Sequence, residues 1–128
     1  MTSELMSLTW VTTLTALLWV PYILNMIAVR GLIDAVGYPD NPPPMAAWAQ
    51  RMKAAHVNAV ENLVVFAALV LIAHAAGVSN STTILAGQLY FWARVVHVVA
   101  YTVAIPWVRT LAFVAGFAAQ MILAIQLL

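Results

Sequence analysis

Two ionisable side chains of opposite charge stand inside otherwise apolar segments of this sequence. Glu61 lies in the segment 54–76 and Arg94 in the segment 84–105. If both segments are helices that cross a membrane, Glu61 lies roughly 10 Å from the start of its segment and Arg94 roughly 18 Å from the end of its own. A charge at such depth is costly unless it is paired. We therefore predict that Glu61 and Arg94 pair within one chain, and such a pair alone would indicate architecture rather than function.

Glu61 shares one side of its predicted helix with other polar residues. Arg51, Asn58 and Glu61 fall within about 80° of one another at 100° per residue, which predicts one polar stripe. His56 points about 140° from Arg51 and is expected to face lipid headgroups or another subunit.

A second polar face accompanies Arg94. Arg94, His97 and Tyr101 follow a spacing of i, i+3 and i+7 and share a face within about 60°. Together with Asn58 and Arg109 they predict a polar cleft between helices, which mere helix packing does not require. Such a cleft suits a polar, anionic ligand and an apolar co-substrate that enters from the lipid.

The elements that must position these residues are four apolar segments, each close to the 20 residues that cross a hydrocarbon core. We predict one domain over residues 1–128, an all-α integral membrane protein with an up-down bundle of four transmembrane helices. The predicted spans are residues 8–29, 54–76, 84–105 and 107–128. Pro21 predicts a kink in the first span. Asn25 is expected to contact a carbonyl that the proline leaves free, or another helix.

Composition supports a membrane protein and excludes several classes of site. Hydrophobic residues make up 65% of the 128 residues and charged residues 7%, and the mean hydropathy is +0.97. A soluble domain carries about a quarter charged residues. A net charge of +1 indicates neither a nucleic acid nor an acidic partner. Cysteine is absent, which excludes thiolate chemistry by the chain itself. His56, His74 and His97 lack convergent spacing, so no metal site is predicted.

Basic residues predict the orientation in the membrane. Arg30, Arg51 and Lys53 flank the first connection and Arg109 follows the third, whereas the turn 77–82 has no Lys or Arg. The positive-inside rule places the first and third connections in the cytoplasm and both termini on the other side. The amino terminus has no basic region of the signal-peptide type, so the first span is expected to be retained.

These residues resemble a known family. The pattern Arg51-x6-Asn58-x2-Glu61-Asn62 within RMKAAHVNAVEN is similar to the signature of the MAPEG family, the membrane-associated proteins in eicosanoid and glutathione metabolism, and most like its microsomal glutathione transferases. The segment Ala93-Arg94-x2-His97-x3-Tyr101 and the following Pro106, Arg109 and Thr110 resemble the third and fourth helices of that family.

The resemblance implies a homotrimer in membrane lipid, with glutathione as co-substrate between adjacent subunits near the cytoplasmic surface. It implies that glutathione is bound by Arg30, Arg51, Asn58, Glu61, Arg94 and His97. It assigns catalysis to Arg109, Tyr101 and Thr110, and a guanidinium and hydroxyls near sulfur would favour the nucleophilic thiolate. Small residues of the fourth helix allow close helix approach in such a trimer. They are Ala112, Ala115, Gly116, Ala118 and Ala119.

Two functions follow from this reading, and a third is less favoured. The first is a glutathione-dependent transferase or peroxidase that acts on hydrophobic electrophiles or lipid hydroperoxides. The second is a non-catalytic lipid-binding or scaffold protein on the same fold. The chain has Ala54 where many catalytic members carry an arginine, and the interval from Tyr101 to Arg109 is shorter than in mammalian members. A proton-coupled transporter using Glu61 and His97 is less favoured, since the sequence shows no inverted repeat.

Overall fold

The chain folds into four helical spans, the first of which is interrupted at Leu18. The computed structural model describes residues 1–128, and helices are its only regular secondary structure. The helices are α1 Ser3–Leu17, α2 Trp19–Arg30, α3 Leu32–Val36, α4 Ala47–Ala75, α5 Ser81–Thr102 and α6 Pro106–Leu127. The continuous stretch Ser3–Arg30 and the helices α4, α5 and α6 are long and apolar enough to cross a membrane. The predicted all-α architecture of four long apolar helices is confirmed.

The interruption of the first span lies within one helical turn before Pro21, where a kink was predicted. Pro21 has no N–H group, so the carbonyl of Leu17 loses its helical donor. The chain makes a turn at Leu18, whose N–H donates to Thr15 O at 3.4 Å. Helix α2 then continues to Arg30, and Gly31 ends it with φ +79°.

The connection between α2 and α4 is fixed to α2 by two polar side chains. Asn25 Oδ1 accepts from the N–H of Ala46 at 2.9 Å, at the start of α4, so the expectation that Asn25 contacts another helix is confirmed. Arg30 Nε donates to the carbonyl of Pro43 at 2.8 Å. This anchoring lets α4 begin at Ala47, before the hydropathy-based boundary at residue 54.

The other helix ends follow local rules. Gly77 adopts φ +71° after α4, and Val78 N donates back to Ala73 O at 2.9 Å. Asn80 caps α5 by accepting from Thr82 N and Thr83 N. Helix α5 ends at Thr102 rather than at the predicted residue 105. Pro106 begins α6 and disfavours a helical conformation for the residue before it.

The core lies between α1, α4, α5 and α6 and is centred on an aromatic pair. Phe66 of α4 stacks on Tyr90 of α5, with ring centroids 3.9 Å apart. Both side chains are buried, as is Ala119 of α6 in the same cluster. A Cβ on Gly116 would lie 3.7 Å from Arg94 Cδ, so α6 approaches α5 closely at this level.

Three of the five small residues that we predicted for helix contacts in α6 pack within the chain. Ala112, Gly116 and Ala119 are buried inside a single chain. These three residues give no support to a contact between subunits, because packing against α5 within the chain already accounts for them.

Candidate functional site

Arg94 is the buried charge around which the polar residues of the bundle gather. Its side chain is 4% exposed, and Nη2 donates to Asn58 Oδ1 of α4 at 2.7 Å. Its Nε atom is buried without a partner in the chain. The neutral amide of Asn58 thus takes the position that we predicted for a carboxylate.

The predicted ion pair between Glu61 and Arg94 is wrong. Glu61 is exposed on α4 and forms no salt bridge within the chain. Three residues along a helix turn the side-chain direction by about 300°, so Glu61 points about 60° away from Asn58. Because Asn58 faces α5, that rotation carries Glu61 off the interface between α4 and α5.

Asn58 is itself held by a second amide. Asn62 Nδ2 donates to Asn58 O at 2.9 Å and to Asn58 Oδ1 at 3.3 Å. The carbonyl of Asn62 accepts from Gln120 Nε2 of α6 at 3.0 Å. Gln120 is 3% exposed. Hydrogen bonds therefore connect α6, α4 and α5 in the interior of the bundle.

A cavity of about 310 Å³ opens on the other side of Asn58. It is lined by Asn58, His97, Tyr101, Arg109, Thr110 and Phe113. The structure thus brings together five of the nine predicted site residues. Its lining contains no acidic side chain.

His97 and Tyr101 form the α5 wall of this cavity. Their rings meet edge to face with centroids 5.7 Å apart, and the ring of Phe113 lies 6.2 Å from that of His97. His97 is 2% exposed, and its Nδ1 has no partner in the chain. The predicted shared face of Arg94, His97 and Tyr101 is confirmed, since all three project toward the same polar region.

Arg109 and Arg51 approach Tyr101 from the end of the bundle. The Arg109 Cζ atom lies 4.8 Å from the centroid of the Tyr101 ring, within the range of a cation–π interaction. Arg109 also lines a second cavity of about 220 Å³ together with Arg51 and Tyr101. Arg51 Nε donates to the carbonyl of Thr102 at 2.9 Å, one of the last carbonyls of α5 that lack a helical donor. Arg109 and Arg51 therefore lie beside Tyr101, whereas Arg94 binds Asn58.

Thr110 lines the larger cavity, but its hydroxyl is already engaged. Oγ1 donates to the carbonyl of Pro106 at 3.0 Å, one helical turn earlier. A hydroxyl has one proton to donate. While this bond persists, Thr110 presents acceptor lone pairs to the cavity and cannot donate to an anion there.

Arg30 and His56 lie apart from the cavities. Arg30 lines neither of them, since its guanidinium binds Pro43 O and contacts Met26 Sδ at 3.4 Å. His56 Nδ1 lies 2.7 Å from the hydroxyl of Tyr22 on α2. The expectation that His56 faces headgroups or another subunit is therefore wrong, because α2 packs against this side of α4.

Neither Gln120 nor Asn62 was among the predicted site residues. Gln120 is the one polar residue on the buried face of α6, which a search for isolated amides in apolar helices could have identified. As a whole, the arrangement presents guanidinium groups, an amide and a phenol to a concave space. It can therefore bind an anionic, polar ligand and favour the charged form of an acidic group on that ligand.

Comparison with known proteins agrees with this architecture. A model of the MAPEG family matches residues 8–128. Microsomal glutathione S-transferase 1 of Bos taurus is 36% identical over 80 residues, that of Homo sapiens 34% and that of Sus scrofa 36%. Each match covers 62% of this chain and 52% of the relative, so the chain spans about half the length of these curated relatives. The four apolar helices and the family match make this a multi-pass integral membrane protein, and the chain belongs to the MAPEG family.

Proposed function

We propose that this protein is a glutathione-dependent transferase or peroxidase that acts on hydrophobic electrophiles or lipid hydroperoxides. The observation that carries the proposal is a pair of cavities that share Tyr101 and Arg109 and have no acidic residue in their linings. Arg51 lines the smaller cavity, and Arg94 binds Asn58, which lines the larger one. Glutathione has two carboxylates, an ammonium group and a thiol. Arginine binds carboxylates with two parallel hydrogen bonds, which explains why several arginines would gather at such a site. The names of the curated relatives support the same substrate.

The proposed reaction uses the cavity to stabilise a thiolate. The thiol loses its proton to solvent water, and Arg109 and the Tyr101 hydroxyl compensate the negative charge on sulfur. In the transferase reaction the sulfur bonds to an electrophilic carbon, and the leaving group departs with its bonding electrons. In the peroxidase reaction two glutathione molecules reduce the O–O bond to an alcohol and water and become a disulfide. The apolar co-substrate would arrive through the lipid, since many large apolar side chains are exposed on the spans.

Calorimetric titration of the detergent-purified protein with glutathione tests the proposal. We expect saturable binding that weakens about tenfold or more in Arg51→Leu, because a clamp on a carboxylate is lost. Lys53→Leu is the matched control, since Lys53 is an exposed basic residue of the same helix end and lines neither cavity. Absence of binding to the wild-type protein would contradict the proposal and favour the non-catalytic lipid-binding or scaffold alternative.

We further propose that the site is completed by neighbouring copies in a homotrimer, with the arginine-rich end in the cytoplasm and both termini on the opposite side. Glu61 is an exposed carboxylate on a membrane-spanning helix, where a charge facing lipid is unfavourable. A cavity of about 310 Å³ lies at the lower end of the range for small-molecule sites. A neighbouring copy would enclose this cavity, and Glu61 and Arg30 would contact the ammonium and a carboxylate of glutathione at the interface.

The trimer has its own test. Native mass spectrometry of the protein released from detergent should give a mass three times that of the chain. A monomer or dimer in the mass spectrum would contradict the proposed assembly.

A further inference from the structure

We infer that Gln120 of α6 is a positioning residue for the glutathione site, an inference that rests on the proposed function. It touches neither cavity, and it acts through Asn62 and Asn58 on the groups that would meet the ligand.

Gln120 is the one polar residue among the buried residues of α6. The other buried residues of α6 are Ala112, Gly116, Ala119 and Leu123. An amide buried in an apolar environment is unfavourable unless it is hydrogen-bonded, and an apolar residue would pack there without that requirement. Gln120 Nε2 meets part of this requirement by donating to the carbonyl of Asn62.

The Asn58 amide has only one orientation that suits its neighbours. Its Oδ1 accepts from Arg94 Nη2 at 2.7 Å and from Asn62 Nδ2 at 3.3 Å, which occupies both lone pairs. Two donors converge on Oδ1, so a flipped amide would place its own N–H groups against them. The Nδ2 group of Asn58 makes no hydrogen bond within the chain, and Asn58 lines the larger cavity. Nδ2 is therefore the group that remains to donate to an anionic ligand.

Gln120 controls this orientation because it fixes the turn of α4 that carries both asparagines. Asn62 follows Asn58 by one helical turn and binds both its carbonyl and its Oδ1. A bond from α6 to the Asn62 backbone restrains the rotation of α4 at that turn relative to α5 and α6. Without this bond, α4 can rotate and the side chain of Asn62 can move away from Asn58 Oδ1. The hydrogen bond between Asn58 Oδ1 and Arg94 Nη2 then loses its geometry.

The experiment compares Gln120→Met with Gln126→Met. Methionine keeps the length of the side chain and removes the donor. Gln126 lies on the same helix, is exposed, and only accepts a surface hydrogen bond from Asn80. We expect Gln120→Met to weaken glutathione binding about three- to tenfold by calorimetry, which corresponds to one lost hydrogen bond, and Gln126→Met to bind as the wild type does. The catalytic rate at saturating glutathione should change little, because the reacting sulfur is met by other residues.

A background variant separates positioning from general loosening of the bundle. In Asn58→Ala, Gln120→Met should add no further loss of affinity, because the group through which it acts is gone. An equal loss in both backgrounds would overturn the inference, as would wild-type affinity in Gln120→Met. Should Gln120→Met not fold, Asn62→Leu removes the next bond of the path and should give the same selective loss of affinity. Absence of glutathione binding to the wild type would overturn the proposed function, and this inference with it.

Discussion

Asn58→Leu should destabilise the folded protein by about 2–3 kcal/mol in the absence of any ligand. Asn58 Oδ1 is the one acceptor that the buried Arg94 guanidinium has within the chain. Loss of a hydrogen bond to a buried charged group typically costs about 1.5–3 kcal/mol, and the group left behind remains without compensation. Thermal unfolding in detergent, followed by circular dichroism, measures the change.

Two further variants show whether the lost stability comes from the uncompensated charge of Arg94. Arg94→Leu in the Asn58→Leu background should recover part of the lost stability, since the double variant no longer contains an uncompensated guanidinium. Lys53→Leu is the matched control on the same helix, and it should change stability by no more than ~0.5 kcal/mol because Lys53 is exposed and lines neither cavity. Strictly additive losses in the double variant, or a large effect of Lys53→Leu, would contradict the network seen in the structure.

The contrast between Asn58 and Glu61 shows what helical periodicity can predict. Within one helix the angle between two residues follows from the number of residues between them. Arg94, His97 and Tyr101 were therefore predicted correctly as one face of α5. The partner of Arg94 depends on how α4 is rotated about its own axis relative to α5. No repeat in either helix specifies that rotation. Asn58 and Glu61 point about 60° apart on α4, so the rotation decides which of the two faces Arg94.

Other features were not predictable because they depend on the backbone. Gln120 donates to the main-chain carbonyl of Asn62, and every residue carries such a carbonyl, so the side-chain pattern gives no indication of the contact. Thr110 is different, since its bond to Pro106 is the local contact to the carbonyl four residues earlier that Ser and Thr make in helices. Sequence alone permits that bond but does not decide between it and a bond to a ligand.

The largest effect on catalysis is expected for Arg109→Leu. Arg109 lines both cavities and lies over the ring of Tyr101, which holds its guanidinium at the boundary between them. A charge placed there stabilises a thiolate as it forms and contributes less to binding of the neutral thiol. Removing one preorganised electrostatic group from an active site typically lowers the rate about 10²–10³-fold. We expect such a loss in the conjugation of a reactive aryl halide, with the glutathione affinity changed about threefold or less.

The ultraviolet absorbance of bound thiolate near neutral pH measures the same effect before the chemical step. Arg109→Leu should lose this signal, whereas Tyr101→Phe should keep most of it, because phenylalanine preserves the ring beneath the guanidinium and removes only the hydroxyl. Lys53→Leu controls for loss of a basic residue at the same end of the bundle. If Arg109→Leu behaves as Lys53→Leu does, with an unchanged rate and thiolate signal, Arg109 serves as a topological anchor. Stabilisation of the thiolate would then fall to the hydroxyl of Tyr101, because that of Thr110 is already donated to Pro106.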